Sequence, residues 1–319
     1  HRKKRTKMAR EINNIDYEKR LDDDLKDFIK KIENHSDPTA GEDIKKIRDS
    51  YSNVCNAFRS ALPPAVKIET KILKSNKKKI NYRVYTKNAR VSAQILYAHG
   101  GGFIMGGLES HNEICADICH QTDLTVTAVD YRLSPESKHP AAFEDTLDVY
   151  RFLDPKVPVI LVGDSAGATL MAMLSHYLKN KTNNLRGQVL IYPYLGGDMT
   201  TGSYLKHANA PCLTTNQMIF YVNCWRSEKK TSIKLPLNES DFLGLTPTVV
   251  FTASDDPLNL DGVSYVKKIK SVNGNAVNYQ NEGLVHGYLR ARHIVAKARR
   301  AFSKITEAIS RLANQNELD

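Results

Sequence analysis

A serine flanked by glycines is the residue in this 319-residue chain best placed for nucleophilic chemistry. Ser165 is the centre of a G-x-S-x-G sequence (163–167), which follows the apolar run 157–162 and precedes an Ala/Leu/Met-rich stretch (168–174). The first run is typical of a buried strand and the second of a helix, so we expect Ser165 on a tight, strained turn between them. Side chains in place of the flanking glycines would collide with the neighbouring strand and helix. The helix N-terminus would direct free N–H groups at developing negative charge.

A glycine-rich loop upstream of Ser165 has the features of an oxyanion hole. His99-Gly100-Gly101-Gly102 follows a strand-like segment (93–98). Three successive glycines let the backbone approach a substrate oxygen closely, although alone they could form only a flexible turn. A G-x-S-x-G sequence also occurs often by chance, but the joint occurrence of both motifs, each after a strand, favours a catalytic site.

A serine nucleophile needs a base, and the base needs a carboxylate that orients it. His286 follows a short predicted strand, and Asp255-Asp256-Pro257 follows another, both at the edge that carries Ser165. We therefore expect His286 to take the Ser165 proton and Asp256 to orient His286. Asp before Pro is also common in turns, and Asp255 remains an open competitor for the acid.

The elements that must position these residues alternate between strands and helices. After an antiparallel pair at 66–73 and 79–85, the pattern predicts strands at 94–98, 124–130, 157–162, 187–192, 248–253 and 276–280, and helices at 113–120, 141–153, 166–178, 214–225, 260–270 and 289–312. Such alternation predicts an α/β fold with a mainly parallel sheet between helices, and a ligand site beyond the carboxyl ends of its strands. Residues 11–59 read as charged, amphipathic helices interrupted at 36–41.

The composition is that of a globular protein, with 41% hydrophobic and 25% charged residues. No apolar stretch approaches the roughly 20 residues of a membrane span, and no signal-peptide pattern is present, so we expect a cytoplasmic protein without stable membrane insertion.

The formal net charge is +11, to which the basic run 1–7 contributes. Such a terminal run is more often solvated than bound, and the other lysines lack interleaved aromatics, so nucleic acid is not an expected partner.

The five cysteines show no framework spacing, which indicates reduced thiols. Cys115, Cys119 and His120 could share a helix face as metal ligands. No second ligand pair with zinc-site spacing follows them, so buried core cysteines are favoured. Neither a metal nor an organic cofactor is expected.

Six motifs, in order, resemble those of the hormone-sensitive-lipase family of α/β-hydrolase esterases, and look closest to its bacterial acetyl esterases. They are H-G-G-G (99–102), D-Y-R-L-S-P-E (130–136), H-P-A-A (139–142), G-D-S-A-G (163–167), D-P-L (256–258) and H-G (286–287). The resemblance runs from about residue 79 to the end, with Ala168 and Ser134 as departures that remove no required chemical group. It implies an α/β-hydrolase fold with a helical cap, and homodimers are common among such relatives.

The resemblance also implies roles for individual residues. It assigns the nucleophile to Ser165, the acid to Asp256 and the base to His286, and the oxyanion hole to the N–H groups of Gly101, Gly102 and Ala166. It implies a catalytic domain at 61–319, with cap segments at 1–60 and about 195–242. The stretch 131–136 would be structural support beneath the site.

The activity implied by the resemblance is serine carboxylic-ester hydrolysis of short-chain acyl esters, through an acyl-enzyme. Four aromatic residues could line a small apolar pocket or only pack the cap: Phe103, Tyr204, Tyr221 and Trp225.

An amidase or arylformamidase that uses the same Ser-His-Asp residues remains open, because the serine and its loop do not distinguish esters from amides. A ligand-binding, receptor-like homologue is a second alternative, disfavoured because such receptors lack the base that His286 would supply.

Overall fold

The computed structural model describes residues 15–75, 78–88 and 92–315, and it is built around an eight-stranded sheet. The strands are β1 (Lys67–Ser75), β2 (Lys78–Thr86), β3 (Gln94–Ala98), β4 (Thr125–Asp130), β5 (Val159–Asp164), β6 (Leu185–Ile191), β7 (Thr248–Asp255) and β8 (Ala276–Val285). Their order across the sheet is β1-β2-β4-β3-β5-β6-β7-β8. Strand β2 is antiparallel to both β1 and β4, and the other pairs are parallel. The predicted hairpin and mainly parallel sheet are confirmed.

Helices cover both faces of the sheet. They are α1 (Tyr17–Arg20), α2 (Asp23–His35), α3 (Ile44–Ala57), α4 (Asn112–Thr122), α5 (Ala141–Phe152), α6 (Ala166–Leu178), α7 (Gly202–Lys206), α8 (Thr215–Trp225), α9 (Asn259–Lys270) and α10 (Ala296–Ala313), with 3-10 turns at Pro236–Asn238 and Tyr288–Ala291. Helices α4 and α10 pack into one buried core, and α5, α6 and α9 into the other. No helix in the described ranges is long and apolar enough to cross a membrane.

The strands that carry the candidate site are buried on both sides. All residues of β3, β5 and β7 are buried, which is why these segments are rich in apolar residues without a polar residue at every second position. Because β3, β5 and β7 run parallel in one sheet, the residues after their carboxyl ends meet at one edge.

Two predicted boundaries near the C-terminal end of the chain are wrong. Strand β8 continues to Val285 instead of ending at residue 280, because a register shift against β7 lets it pair past its polar stretch, and Gly283 N–H donates to Ser254 Oγ at 2.8 Å. The last helix does not start at residue 289. A 3-10 turn comes first, and α10 begins at Ala296, whose N–H donates to Asp24 of α2 at 2.9 Å.

The N-terminal helices are attached to the rest of the molecule by polar contacts. Arg48 of α3 donates from Nε to the carbonyl of Ile104 at 2.7 Å and forms a two-pronged ion pair with Glu136, at 2.8 and 2.7 Å. The Tyr17 hydroxyl lies 2.9 Å from Nδ1 of His207. The basic run 1–7 and the predicted helical residues 11–14 lie outside the described residues. In the described part, the two helical segments and the break at 36–41 are confirmed.

Candidate active site

Ser165 sits at the turn between β5 and α6, as the sequence predicts. Its backbone has φ +52° and ψ −119°, a conformation that L-residues rarely adopt and that costs of order 1–3 kcal/mol. A Cβ at Gly163 would lie 2.6 Å from the carbonyl carbon of Gly167, and a Cβ at Gly167 would overlap the carbonyl of Ala98 on β3. The two glycines therefore allow strand and helix to meet closely enough to hold Ser165 in this conformation.

The structure brings Ser165, His286 and Asp256 into one continuous chain of contacts. His286 Nε2 lies 2.9 Å from Ser165 Oγ, and His286 Nδ1 lies 2.7 Å from Asp256 Oδ2. The other Asp256 oxygen accepts the backbone N–H of Leu258 at 2.9 Å, which fixes the carboxylate plane. Asp256 is fully buried, while Ser165 and His286 retain a small exposed fraction towards the cavity.

Asp255 points away from this chain of contacts. It is the last residue of β7, whereas Asp256 lies in the bend that follows the strand. The buried Asp255 carboxylate forms an ion pair with Arg20 from α1 and accepts the Ser254 hydroxyl at 2.8 Å. Of the two candidate acids, only Asp256 contacts His286 in the structure.

The glycine loop after β3 lies beside Ser165. Gly101 and Gly102 have φ values of +125° and +58°, and both line the same cavity as Ser165 and Ala166. In the described part of the chain, no protein acceptor takes the N–H groups of Gly101, Gly102 or Ala166. Ala166 is the first residue of α6, so its N–H lacks an intrahelical acceptor. The donors needed for an oxyanion are therefore available at this wall of the cavity.

A buried carboxylate next to the serine connects the two motifs. Asp164 accepts the hydroxyl of Tyr97 at 2.7 Å and the N–H of Gly100 at 3.0 Å, and His111 Nε2 lies 3.2 Å from it. Burial alone would raise the pKa of Asp164, but the charge and hydrogen bond of His111 and the bond from Tyr97 hold it well below its usual range. Asp164 thus remains an acceptor that ties the glycine loop to β5. This role of Asp164 is not predicted from the sequence, although Asp164 lies inside the G-D-S motif.

His99 supports the loop from below. Its ring stacks on Tyr131 with centroids 4.2 Å apart, and the Tyr131 hydroxyl donates to the His99 carbonyl at 2.6 Å. Burial, with a further contribution from His111, lowers the pKa of His99 to about 4, so the ring is neutral at physiological pH. These contacts agree with a supporting role for the stretch that begins at Tyr131.

A cavity of about 630 Å³ opens over Ser165. Its outer walls come from the helical segment 28–54 and from residues 212–221, which lie in the two stretches that the sequence assigns to a cap. The volume falls in the range of small-molecule sites.

Two of the four candidate pocket aromatics reach this cavity. Phe103 and Tyr221 line it, and the Tyr221 ring packs over Gly102. Trp225 instead stacks on Phe103, with centroids 4.5 Å apart, and Tyr204, on α7 of the insertion, is buried in the core. The prediction that Tyr204 and Trp225 line the pocket is therefore corrected: both pack the insertion, which was the other possibility.

Cys115, Cys119 and His120, the three candidate metal ligands of the sequence, lie on α4. Cys115 and Cys119 are buried in the core and His120 is exposed, as expected for core thiols on α4. In residues 15–75, 78–88 and 92–315, no group of three or more His, Cys, Asp or Glu side chains could hold a metal ion.

The fold and the Ser-His-Asp geometry are those of the serine hydrolases with an α/β architecture. A family model described as alpha/beta hydrolase fold matches residues 95–290. The chain belongs to this family, and its resemblance to the hormone-sensitive-lipase type is confirmed.

Curated relatives and solved structures agree with this assignment. The chain is 27% identical over 235 residues to an ethyl acetate hydrolase of Pseudomonas putida, covering 69% of this chain and 74% of the relative. It is 30% identical over 234 residues to carboxylesterase NlhH of Mycobacterium tuberculosis, covering 68% and 73%. The structure of a hyperthermophilic esterase from the archaeon Pyrobaculum calidifontis superposes with a TM-score of 0.83 at 25% identity, covering 92% of this chain and 99% of that one. The chain is a serine ester hydrolase.

Proposed function

We propose that Ser165 is the nucleophile of this esterase, His286 its general base and acid, and Asp256 the carboxylate that orients His286. The observation that carries the assignment is the continuous contact from Ser165 Oγ through His286 to Asp256, at 2.9 and 2.7 Å. With the Nδ1 proton donated to Asp256, Nε2 of His286 is free to accept the Ser165 proton.

The reaction proceeds in two halves. Ser165 Oγ attacks the ester carbonyl as its proton passes to His286, and the resulting oxyanion accepts hydrogen bonds from the N–H groups of Gly101, Gly102 and Ala166. The tetrahedral intermediate expels the alcohol, which takes the proton from His286. Water then attacks the acyl-serine by the same route, and the acid and free Ser165 are released.

We propose that the preferred acyl groups are short. Phe103 and Tyr221 form an apolar wall beside the serine, and the Tyr221 ring leaves little room over Gly102. A relative named ethyl acetate hydrolase supports the same substrate range.

The five cysteines are all unpaired, which supports a reducing, cytoplasmic compartment.

The test is hydrolysis of p-nitrophenyl acetate, butyrate, octanoate and laurate by wild type, Ser165→Ala, Asp256→Asn and Asp255→Asn. We expect kcat/KM to fall beyond short chains and activity to vanish in Ser165→Ala. Asp256→Asn should cost on the order of 10³- to 10⁴-fold in kcat, because the amide removes the negative charge that stabilises protonated His286 and its NH2 group favours the wrong tautomer of that ring. Asp255→Asn is the matched control and should cost far less.

A peak at laurate would contradict the short-chain proposal, and a larger loss in Asp255→Asn than in Asp256→Asn would contradict the assignment of the acid. The amidase alternative is tested in the same plate with p-nitroacetanilide beside p-nitrophenyl acetate. Faster cleavage of the anilide would favour that alternative.

A further inference from the structure

The cavity over Ser165 contains a cationic side chain that the proposed reaction does not use. Arg290 belongs to the 3-10 turn that follows His286, and it lines the same cavity as Ser165 and His286. Tyr192, which packs on the His286 ring at 4.7 Å between centroids, also lines this cavity. Arg290 is therefore part of the wall next to the proposed catalytic residues.

The contacts of Arg290 in the described structure are neutral and long. Nη1 donates to the carbonyl of Ser110 and Nη2 to the hydroxyl of Tyr51, each at 3.3 Å, and the guanidinium lies 5.6 Å from the centroid of the Tyr51 ring. Burial raises the pKa of Tyr51 well above its usual value, so this phenol is not a counter-ion. A guanidinium has five N–H donors and is always protonated, so most of its hydrogen-bonding capacity is unused here.

Other arginines of the described chain contrast with Arg290. Arg292, two positions further on, forms an ion pair with Asp117 at 2.7 Å, and Arg48 pairs with Glu136. No Asp or Glu in the described ranges forms an ion pair with Arg290. Asp164 lines the same cavity, but it is held by Tyr97, Gly100 and His111.

Two further carboxylates, Asp37 and Glu42, belong to the loop between α2 and α3 at the outer wall. Asp37 accepts the N–H and the hydroxyl of Thr39, at 2.8 and 2.7 Å, and Glu42 is exposed. Neither compensates the charge at Arg290. Arg290 therefore has no direct ion-pair partner in the described ranges, and Asp164 acts on it only through space, so a ligand carboxylate can form direct hydrogen bonds to its unused N–H donors.

We propose that Arg290 binds a carboxylate carried by the substrate, separate from the ester that Ser165 attacks. The inference rests on the proposed esterase function and narrows its substrate class to esters that bear a free acid, such as half-esters of dicarboxylic acids or acyl esters of hydroxy acids. A carboxylate accepts two parallel N–H bonds from a guanidinium, which fixes both its distance and its orientation.

The test compares matched substrates that differ only in the free acid. Monoethyl adipate and its carboxamide counterpart place the group on the acyl side, and the acetate ester of γ-hydroxybutyrate and its amide place it on the alcohol side. We expect wild type to prefer the acid over the amide in one pair by roughly 10- to 100-fold in kcat/KM, mostly through KM, as for one charge-assisted bond. The pair that shows the preference identifies the side that faces Arg290.

Arg290→Gln should bring the ratio of kcat/KM for the acid to that for the amide close to one. Arg290→Lys should retain part of the preference, since lysine keeps the positive charge but lacks the two parallel N–H donors of the guanidinium. Arg300→Gln, an exposed change of the same charge on α10, should leave the ratio unchanged. Loss of the preference in Arg300→Gln to the same extent would overturn the proposal, because the effect would then follow overall charge.

Two readouts separate this proposal from the esterase function itself. Wild type that cleaves p-nitrophenyl butyrate but shows no acid preference in either pair would overturn the role of Arg290 and leave the esterase intact. Calorimetric binding of monoethyl adipate and its amide to Ser165→Ala needs no turnover and no Arg290 variant. If Ser165→Ala bound the acid and the amide with equal affinity, in both the acyl-side pair and the alcohol-side pair, the proposal would also be overturned.

Discussion

His176 on α6 is a buried histidine whose two ring nitrogens have no hydrogen-bond partner in the described structure. Its ring packs edge-on against Phe242, with centroids 5.2 Å apart. Burial, assisted by the charge of Lys179, lowers the pKa of His176 from 6.5 to about 4. His176 is therefore protonated more readily in the unfolded chain than in the folded protein. The free energy of unfolding that neutral His176 contributes is lost as pH falls from 6.5 towards 4.

His176→Phe should remove this pH dependence. We expect the free energy of unfolding of the variant, relative to wild type, to rise by about 2 kcal/mol between pH 7 and pH 5. Urea unfolding at several pH values measures this difference. His120→Phe, which changes an exposed histidine, is the control and should follow the wild-type profile. A constant difference between His176→Phe and wild type across this range would contradict the assignment.

The choice between Asp255 and Asp256 marks the limit of what residue patterns predict. Both aspartates follow the same predicted strand, and the sequence does not show which of them contacts a histidine far along the chain. The structure separates them because Asp255 ends β7 and forms an ion pair with Arg20 of α1, whereas Asp256 lies in the bend after the strand and contacts His286. Arg20 itself carries no sequence signal, since nothing in its surroundings indicates a partner far along the chain.

Helix α1 is linked to the sheet by the Arg20 ion pair, which has one exposed and one buried partner. The Asp255 side chain is fully buried, whereas 43% of the Arg20 side chain is exposed. Removal of Arg20 would leave a buried carboxylate whose one remaining hydrogen-bond donor within the described residues is the Ser254 hydroxyl. Since a buried acceptor without its partner is costly, we expect Arg20→Ala to lower the free energy of unfolding by roughly 1–3 kcal/mol.

A double-mutant cycle with Asp255→Asn isolates this contact. In the Asp255→Asn background, Arg20→Ala should cost clearly less, because no buried charge is left uncompensated. Lys19→Ala, which removes an exposed pair with Asp16, is the control and should change stability little. Equal effects of Arg20→Ala in both backgrounds would show that the ion pair does not contribute.

Most elements of the core follow from local patterns, and the exceptions depend on distant partners. Strand β3 and helix α6 have the predicted bounds, since both sequences are mainly apolar and are set off by glycines or polar residues. The start of α10 could not be predicted, because its first N–H is capped by Asp24, which lies at the other end of the chain. The extension of β8 likewise depends on a register shift against β7.

The segment 195–242 packs into the same buried core as helices α5, α6 and α9. Trp225, the only tryptophan of the chain, lies at the end of α8 in this segment, stacks on Phe103, and accepts the N–H of His139 at 2.9 Å through its carbonyl. These contacts join the insertion directly to the sheet domain. We therefore infer that the segment 195–242 and the sheet unfold together.

Tryptophan fluorescence and far-UV circular dichroism test this cooperativity during urea unfolding. We expect the two transitions to coincide in midpoint, because loss of the insertion would expose the apolar surface of the core. A fluorescence transition at lower urea than the loss of helicity would mean that the insertion opens independently. Phe103→Leu, which removes the stacking partner of Trp225, should shift both transitions together.

At the level of the whole molecule, the sequence predicts the sheet and its active edge better than the walls of the site. The order of motifs identifies which strands carry Ser165, Asp256 and His286, because their positions are set by short turns after strands. The cavity walls depend on how two segments far apart in the chain fold over that edge. This is why Phe103 and Tyr221 were separable from Tyr204 and Trp225 only in the structure.

The proposed role of Ser165 is tested most directly by stoichiometric reaction with diethyl p-nitrophenyl phosphate, followed by peptide mass spectrometry. We predict release of one p-nitrophenolate per molecule, loss of esterase activity in proportion, and a diethylphosphoryl group on Ser165, with no release from Ser165→Ala. Modification of a different residue, or full labelling of Ser165 without loss of activity, would contradict Ser165 as the nucleophile.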